Sequence, residues 1–214
     1  MNNPFDFFEE IWCINLDRRP DRWESVVKEF DTLGIRNKVQ RLSAITHEDG
    51  RIGLIKSILN LLIYAKEKKL KNILILEDDV KFLHANNVTS TLTKANEQIS
   101  NIDWHMFYLG ANINGAKQRK VSENLIRITN SYCSHAICYN SCVYDIIIEQ
   151  FTKTNAIIVP EDVGDVYFSI LQKSVPCFCV NPIIATQSTG FSDLSNAVID
   201  YSVHIEIPFS NNII

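Results

Sequence analysis

The sequence predicts an α/β sandwich of Rossmann type, with helices on both faces of a mostly parallel central sheet. Three observations carry that expectation. Short apolar runs of β-compatible residues alternate with segments of helical periodicity. The run Ile73-Leu74-Ile75-Leu76 is apolar without alternation, as in a strand covered on both faces. It then passes abruptly into Glu77-Asp78-Asp79, and open α/β sheets bind their ligands beyond the carboxyl ends of strands. The 214 residues suit one compact domain over 1–214, of which about 195–214 is the less patterned part.

Each element follows from local chemistry. Residues 11–16 read as the first strand, and Pro20 is a natural first helical residue. After it, Trp23, Val26, Val27, Phe30 and Leu33 form a helical stripe, with Gly34 placed to end the helix. A short strand at 38–42 precedes the polar loop 43–51. The second helix is expected from about residue 53, with Ile55, Ile58, Leu59 and Leu62 on one face. Its end carries Lys66, Lys68 and Lys69, where cations suit the helix C-terminus. Further helices are expected at 88–99, 143–151 and 162–172. Strands are expected at 106–109, 125–128, 136–139 and 177–180.

Composition narrows the function. A hydrophobic fraction of 46% with 21% charged residues is that of a folded globular chain. The formal charge of −4 leaves no basic footprint for nucleic acid, so none is expected as a partner. No apolar run reaches the ~18–20 residues of a membrane span. The start of the chain lacks a basic segment followed by an apolar one, so no signal peptide is expected. A cytoplasmic location, or one peripheral to a membrane, is the resulting expectation. The six cysteines lack paired CxxC half-sites and read as small core hydrophobes.

The strongest chemical signal is Glu77-Asp78-Asp79. At ~4 Å and an effective dielectric near 20, each pair of like charges costs about 4 kcal/mol. A dication reverses that penalty, and Mg²⁺ or Mn²⁺ prefers such oxygen ligands. If the strand continues through the cluster, Glu77 and Asp79 share one side and Asp78 takes the other. One side then suits a metal and the other a ribose hydroxyl. A solvated acidic turn is the plainer alternative. A metal-dependent phosphohydrolase also places acids after an apolar strand, but its nucleophile is an Asp where this chain has Glu77.

Several segments, in order, resemble glycosyltransferase family 25. Ile14-Asn15-Leu16-Asp17-Arg18-Arg19-Pro20-Asp21-Arg22 resembles its opening segment, and Leu76-Glu77-Asp78-Asp79-Val80 its metal motif. The stretch from Gly50 through Gly53 to Ser57 resembles a third element, with Ile58 where the family has His. Ser134-His135-Ala136-Ile137-Cys138-Tyr139, Asp165-Val166-Tyr167-Phe168 and the run from Gln187 to Leu194 resemble later ones. The resemblance implies a GT-A-like fold and inverting transfer of a hexose, with galactose or glucose favoured, from a UDP-sugar. The acceptor would be a hydroxyl of a glycan, a lipid-linked glycan or a protein. A non-catalytic nucleotide-sugar-binding module of the same fold is the other expectation.

On that resemblance, Asp79 is the expected metal ligand, Asp78 a ribose or outer ligand, and Glu77 a neighbour of the donor sugar. Asn15, Arg18, Arg19 and Arg22 fall at a strand end and helix start, where backbone N–H groups and guanidinium forks suit phosphate or nucleobase. They equally suit a solvated helix start paired with Asp17 and Asp21. Inverting transfer needs a base for the acceptor hydroxyl. Asp165 is the candidate, on a polar helical arc with Asp162, Ser169 and Gln172, and Glu161 and Asp162 are in reserve. His135, Gln187 and Ser188 are weaker acceptor-side candidates, with Asp193 in the same polar patch. His204 is a remote candidate for the metal. His47, His84 and His105 read as structural or exposed.

Overall fold

The computed structural model describes residues 3–83, 85–113, 119–153, 164–192 and 197–200. The strands are β1 (Glu10–Asn15), β2 (Val39–Ser43), β3 (Asn72–Glu77), β4 (Val80–Phe82), β5 (Met106–Tyr108), β6 (Asn112–Ile113) and β7 (Arg119–Ser122). They continue as β8 (Leu125–Arg127), β9 (Ser131–Tyr132), β10 (Ala136–Asn140), β11 (Cys177–Val180), β12 (Ala185–Gln187), β13 (Gly190–Ser192) and β14 (Ala197–Ile199). The helices are α1 (Pro20–Thr32), α2 (Gly50–Lys68), α3 (Ala85–Ile99), α4 (Ser141–Lys153) and α5 (Asp165–Ser174).

The main sheet has eight strands in the order β2-β1-β3-β10-β5-β11-β8-β7. β1 runs parallel to both β2 and β3, and β5 runs parallel to β11. β10 opposes both β3 and β5, while β8 opposes both β11 and β7. Most strands therefore point one way, yet the pairing is mixed rather than mostly parallel. The apolar runs that predict strands carry no mark of direction. The returns into β8 and β10 are set by contacts far apart in sequence.

Alternation along the strands divides the core into two layers. Ile11, Cys13, Leu74 and Leu76 face α1 and α3, together with Val26, Phe30, Val88 and Leu92. Ile73, Ile75, Met106 and Tyr108 face α2, α4 and α5, together with Ile55, Leu62, Ile147 and Phe168. The sandwich thus has helices on both faces, as the sequence predicts. Ile58, where the related family has His, lies in the second layer and is buried. Of the six free cysteines, Cys13, Cys138, Cys177 and Cys179 are core residues.

Local signals place the helix ends beside the sheet's carboxyl edge. Pro20 opens α1. Gly34 closes it at φ 65°, where Ile35 N–H reaches Phe30 C=O at 2.9 Å, a glycine-dependent stop. α2 starts three residues earlier than its apolar pattern, because the Asp49 carboxylate caps Arg51 N–H. In α5 the expected polar arc turns inward. Ser169 and Gln172 are buried, whereas Val166 and Ile170 are exposed. Gln172 satisfies its amide internally, accepting from Ser131 N–H at 2.8 Å and donating to the Tyr108 hydroxyl at 2.9 Å. Among the described residues, no helix is long and apolar enough to cross a membrane.

Candidate active site

The order β2-β1-β3 makes the β1–β3 boundary a switch point, since the chain leaves β1 for one side and returns on the other. A crevice opens there beyond the strand ends, the usual ligand position in such sheets. Its walls are Ile14 on β1 with Leu16 and Arg18 after it, Ala44, Ile45, His47 and Glu48 after β2, Leu54 on α2, and Glu77 at the end of β3 with Asp78 and Asp79 after it. It encloses about 820 Å³ counting its open mouth. Its lining combines apolar side chains with the acids. A second, open cleft of about 630 Å³ counting its mouth is lined by Arg22, Asp78 and Asp79 together with Ser188, Thr189 and Gly190.

β3 stops at Glu77, and a turn at Asp78-Asp79 precedes β4. That turn overrides the alternation expected from a continued strand. Asp78 and Asp79 share one guanidinium: Arg22 Nη1 donates to Asp78 Oδ1 at 2.7 Å and Nη2 to Asp79 Oδ2 at 3.2 Å. Glu77 goes the other way, accepting from the Ser134 hydroxyl at 2.6 Å. The expected grouping of Glu77 with Asp79 is therefore replaced by Asp78 with Asp79.

Asn15 organises the junction. Its Nδ2 donates to Asp78 Oδ2 at 2.6 Å and to the Arg19 carbonyl at 3.0 Å, while its Oδ1 accepts from Arg41 Nε at 2.9 Å. Arg19 pairs with Asp21 at 2.8 Å and holds that carboxyl down at about 2. Asp17 pairs with Arg41. Gln187 donates to Asp79 Oδ2 at 3.4 Å, and Ser188 N–H donates to the Asp79 carbonyl at 2.7 Å. Gln187 lines the acid part of the crevice and Ser188 the second cavity beside it.

His135 is buried, and its backbone carbonyl accepts Glu77 N–H at 3.0 Å. Neither ring nitrogen makes a hydrogen bond of good geometry, and burial pushes the imidazole down to about 4 against the pull of the nearby Ala185 backbone. It lines neither of these two cavities. Asp165, at the start of α5, faces the Cys133 backbone N–H and the Ser134 hydroxyl. It sits behind Ser134 from Glu77 and also lines neither cavity. Glu161, Asp162, His84, Asp193 and His204 lie outside the described residues.

Burial raises all four acids. Glu77 is pushed well above the usual carboxylate range, chiefly by burial and then by Asp79. Burial also raises Asp78 and Asp79, against the pull of Arg22 on each. Burial raises Asp165, opposed by the Cys133 N–H and the Ser134 hydroxyl. Among the described residues no three His, Cys, Asp or Glu side chains converge as a metal site. Asp79 Oδ1 nevertheless is buried with no hydrogen-bond partner. Mg²⁺-like ions are commonly held by one or two carboxylates plus substrate phosphates, so this donor set fits such an ion only together with a phosphate ligand.

Sequence reasoning missed Ser134 and Arg41 as site residues. Ser134 has a signal in hindsight, since it adjoins His135 in the motif. Arg41 has none beyond its charge.

No protein-family model matches the chain. A "Glycosyltransferase 25 family member" of Drosophila melanogaster is 32% identical over 100 residues, which is 35% of this chain. The chain resembles glycosyltransferase family 25. It spans only 16% of that relative's length, so the likeness to the family concerns one part of a much longer protein. Solved structures similar to the chain include mannose-1-phosphate geranyltransferase from Thermus thermophilus, at 8% identity and a TM-score of 0.49, covering 80% of this chain and 72% of that one. A glycosyltransferase involved in glycosylation of the major capsid of PBCV-1 is similar at 10% identity and a TM-score of 0.41, covering 70% and 68%. Likenesses of this size decide neither ligand nor activity.

Proposed function

We propose that this chain is a metal-assisted glycosyltransferase that moves a hexose, galactose or glucose, from a UDP-sugar to a hydroxyl acceptor with inversion. The acceptor class is a glycan, a lipid-linked glycan or a protein. The observation that carries the reading is the crevice at the β1–β3 switch point, lined by apolar side chains together with Glu77, Asp78 and Asp79. The local identity to a family 25 member supports it.

The apolar lining residues Leu16, Ala44 and Leu54 suit the nucleobase. The acids suit the diphosphate only if their charge is offset. Arg22 already offsets Asp78 and part of Asp79, which leaves Asp79 Oδ1 as the ligand for Mn²⁺ or Mg²⁺. Such an ion, when bound, neutralises the departing diphosphate. Asp78, fixed by Asn15 and Arg22, faces the ribose, and Glu77 faces the donor sugar.

Asp165 is assigned as base, and because it lines neither cavity the acceptor hydroxyl must approach it from the Ser134 side. Its raised affinity for a proton brings it nearer the working pH of a general base. The acceptor oxygen attacks the anomeric carbon and its proton passes to the Asp165 carboxylate. The bond from that carbon to the diphosphate oxygen breaks, and UDP leaves with the electron pair.

Transfer and hydrolysis of UDP-hexoses, assayed with Mn²⁺ or Mg²⁺, test this. Asp79→Ala is expected to lower turnover by at least about 100-fold. Asp165→Asn is expected to lose transfer by about 10²–10⁴-fold while keeping UDP binding. Metal-dependent turnover retained in Asp79→Ala, or normal transfer in Asp165→Asn, would contradict the roles. UDP uptake without turnover on any acceptor would favour the binding module.

A further inference from the structure

We infer that Ser57 and Gly53 of α2 are positioning residues that hold the 44–48 wall of the crevice, and so set how tightly a nucleotide binds. The inference rests on the nucleotide-sugar reading of that crevice.

Ser57 is completely buried. Its hydroxyl accepts from Ile45 N–H at 2.8 Å and donates to the Gly53 carbonyl at 2.8 Å. One side chain thus ties the loop after β2 to the first turns of α2. A hydroxyl both donates and accepts, which is what this bridge needs. Gly53 makes the approach possible. A Cβ there would stand 2.5 Å from the Ile45 carbonyl oxygen, so any larger residue forces backbone apart.

The same loop is fixed at its two ends. Ala44 N–H donates to the Asn15 carbonyl at 3.0 Å, and Asp49 N–H donates to His47 Nδ1 at 3.0 Å before Asp49 caps α2. Between these points Ala44, Ile45, His47 and Glu48 line the crevice that also holds the acids. The Gly-xxx-Ser spacing therefore reads as a clamp on the wall that a nucleobase would meet. It touches neither the acids nor Asp165. Its loss should weaken nucleotide binding and spare the chemical step.

The test compares Ser57→Ala with Ile58→Val, a neighbour on α2 that packs into the core and does not line the crevice. Two quantities are measured: UDP affinity with Mn²⁺ by calorimetry, and hydrogen exchange of the Ile45 amide. Ser57→Ala is expected to weaken UDP by about tenfold and speed Ile45 exchange, with kcat at saturating donor changed less than about threefold. Gly53→Ala is expected to do the same. Ile58→Val is expected to leave UDP affinity unchanged. Equal UDP affinity in Ser57→Ala and wild type overturns the inference, as does an equal loss in Ile58→Val. If the wild-type protein takes up no UDP, the reading of the crevice fails and the binding role with it. An unchanged Ile45 rate in Ser57→Ala would then show separately that the clamp is absent too.

Discussion

The two sides of the turn after β3 handle negative charge in opposite ways. On one side, the buried Asp78 and the largely buried Asp79 share a single guanidinium, with Asn15 on Asp78 and Gln187 on Asp79 as further partners. On the other side, Glu77 and Asp165 meet only a hydroxyl and a backbone N–H, and among the described residues no Lys or Arg forms an ion pair with either. On the first side Arg22 pulls both carboxyls back toward the ionised form against burial, which favours oxygen ligands. On the second side no cation opposes burial, which holds Glu77 well above the usual carboxylate range and raises Asp165, and this suits proton transfer. One strand end thereby separates charge binding from acid–base work by a turn of two residues.

That contrast makes two substitutions act with opposite signs. Arg22→Ala leaves two buried carboxylates without their cation and is expected to destabilise by about 3–5 kcal/mol in thermal or denaturant unfolding. Glu77→Gln keeps an acceptor for Ser134 and removes an acid whose folded pKa is raised. Because the unfolded chain ionises first as pH rises, the wild-type loses stability from about pH 4.5 upward relative to the variant. Glu77→Gln is therefore expected to match wild type below about pH 4 and exceed it at neutral pH. Destabilisation of both variants at neutral pH would erase the distinction between the two sides.

His135 sharpens the uncompensated side, since its carbonyl anchors Glu77 N–H while its ring is held neutral. Its folded value of about 4 lies below the ordinary value of 6.5, so the unfolded chain binds the proton first as pH falls. Its contribution is complete above about pH 6.5 and is lost between about 6.5 and 4, about 3 kcal/mol in all. Replacing His135 with Gln should flatten the acid limb of the stability profile over that window. An unchanged limb would mean that the ring is not buried neutral.

Much of the frame was legible because local chemistry dictates it. Apolar runs gave β1 and β3, the Pro20 start and the Trp23-to-Leu33 stripe gave α1, and the acids marked the carboxyl edge of the sheet. The antiparallel insertions of β8 and β10 were not legible, since direction depends on distant partners. Nor was the phase of α5, where Gln172 is drawn inward by Ser131 and Tyr108. At the site, the sequence offered Asn15, Arg22 and the three acids, but not their pairing. That pairing follows from a turn at Asp78-Asp79 and from Ser134, which is remote in sequence and meets Glu77 only once β10 lies beside β3.

The most direct measurement is calorimetric titration of UDP into the wild-type protein and Asp79→Ala, each with and without Mn²⁺. The proposed site requires uptake by the wild type that strengthens at least about tenfold with Mn²⁺, and loss of that strengthening in Asp79→Ala. Uptake indifferent to the ion, or no uptake with any divalent ion, would contradict the claim that Asp79 holds a cation against the diphosphate.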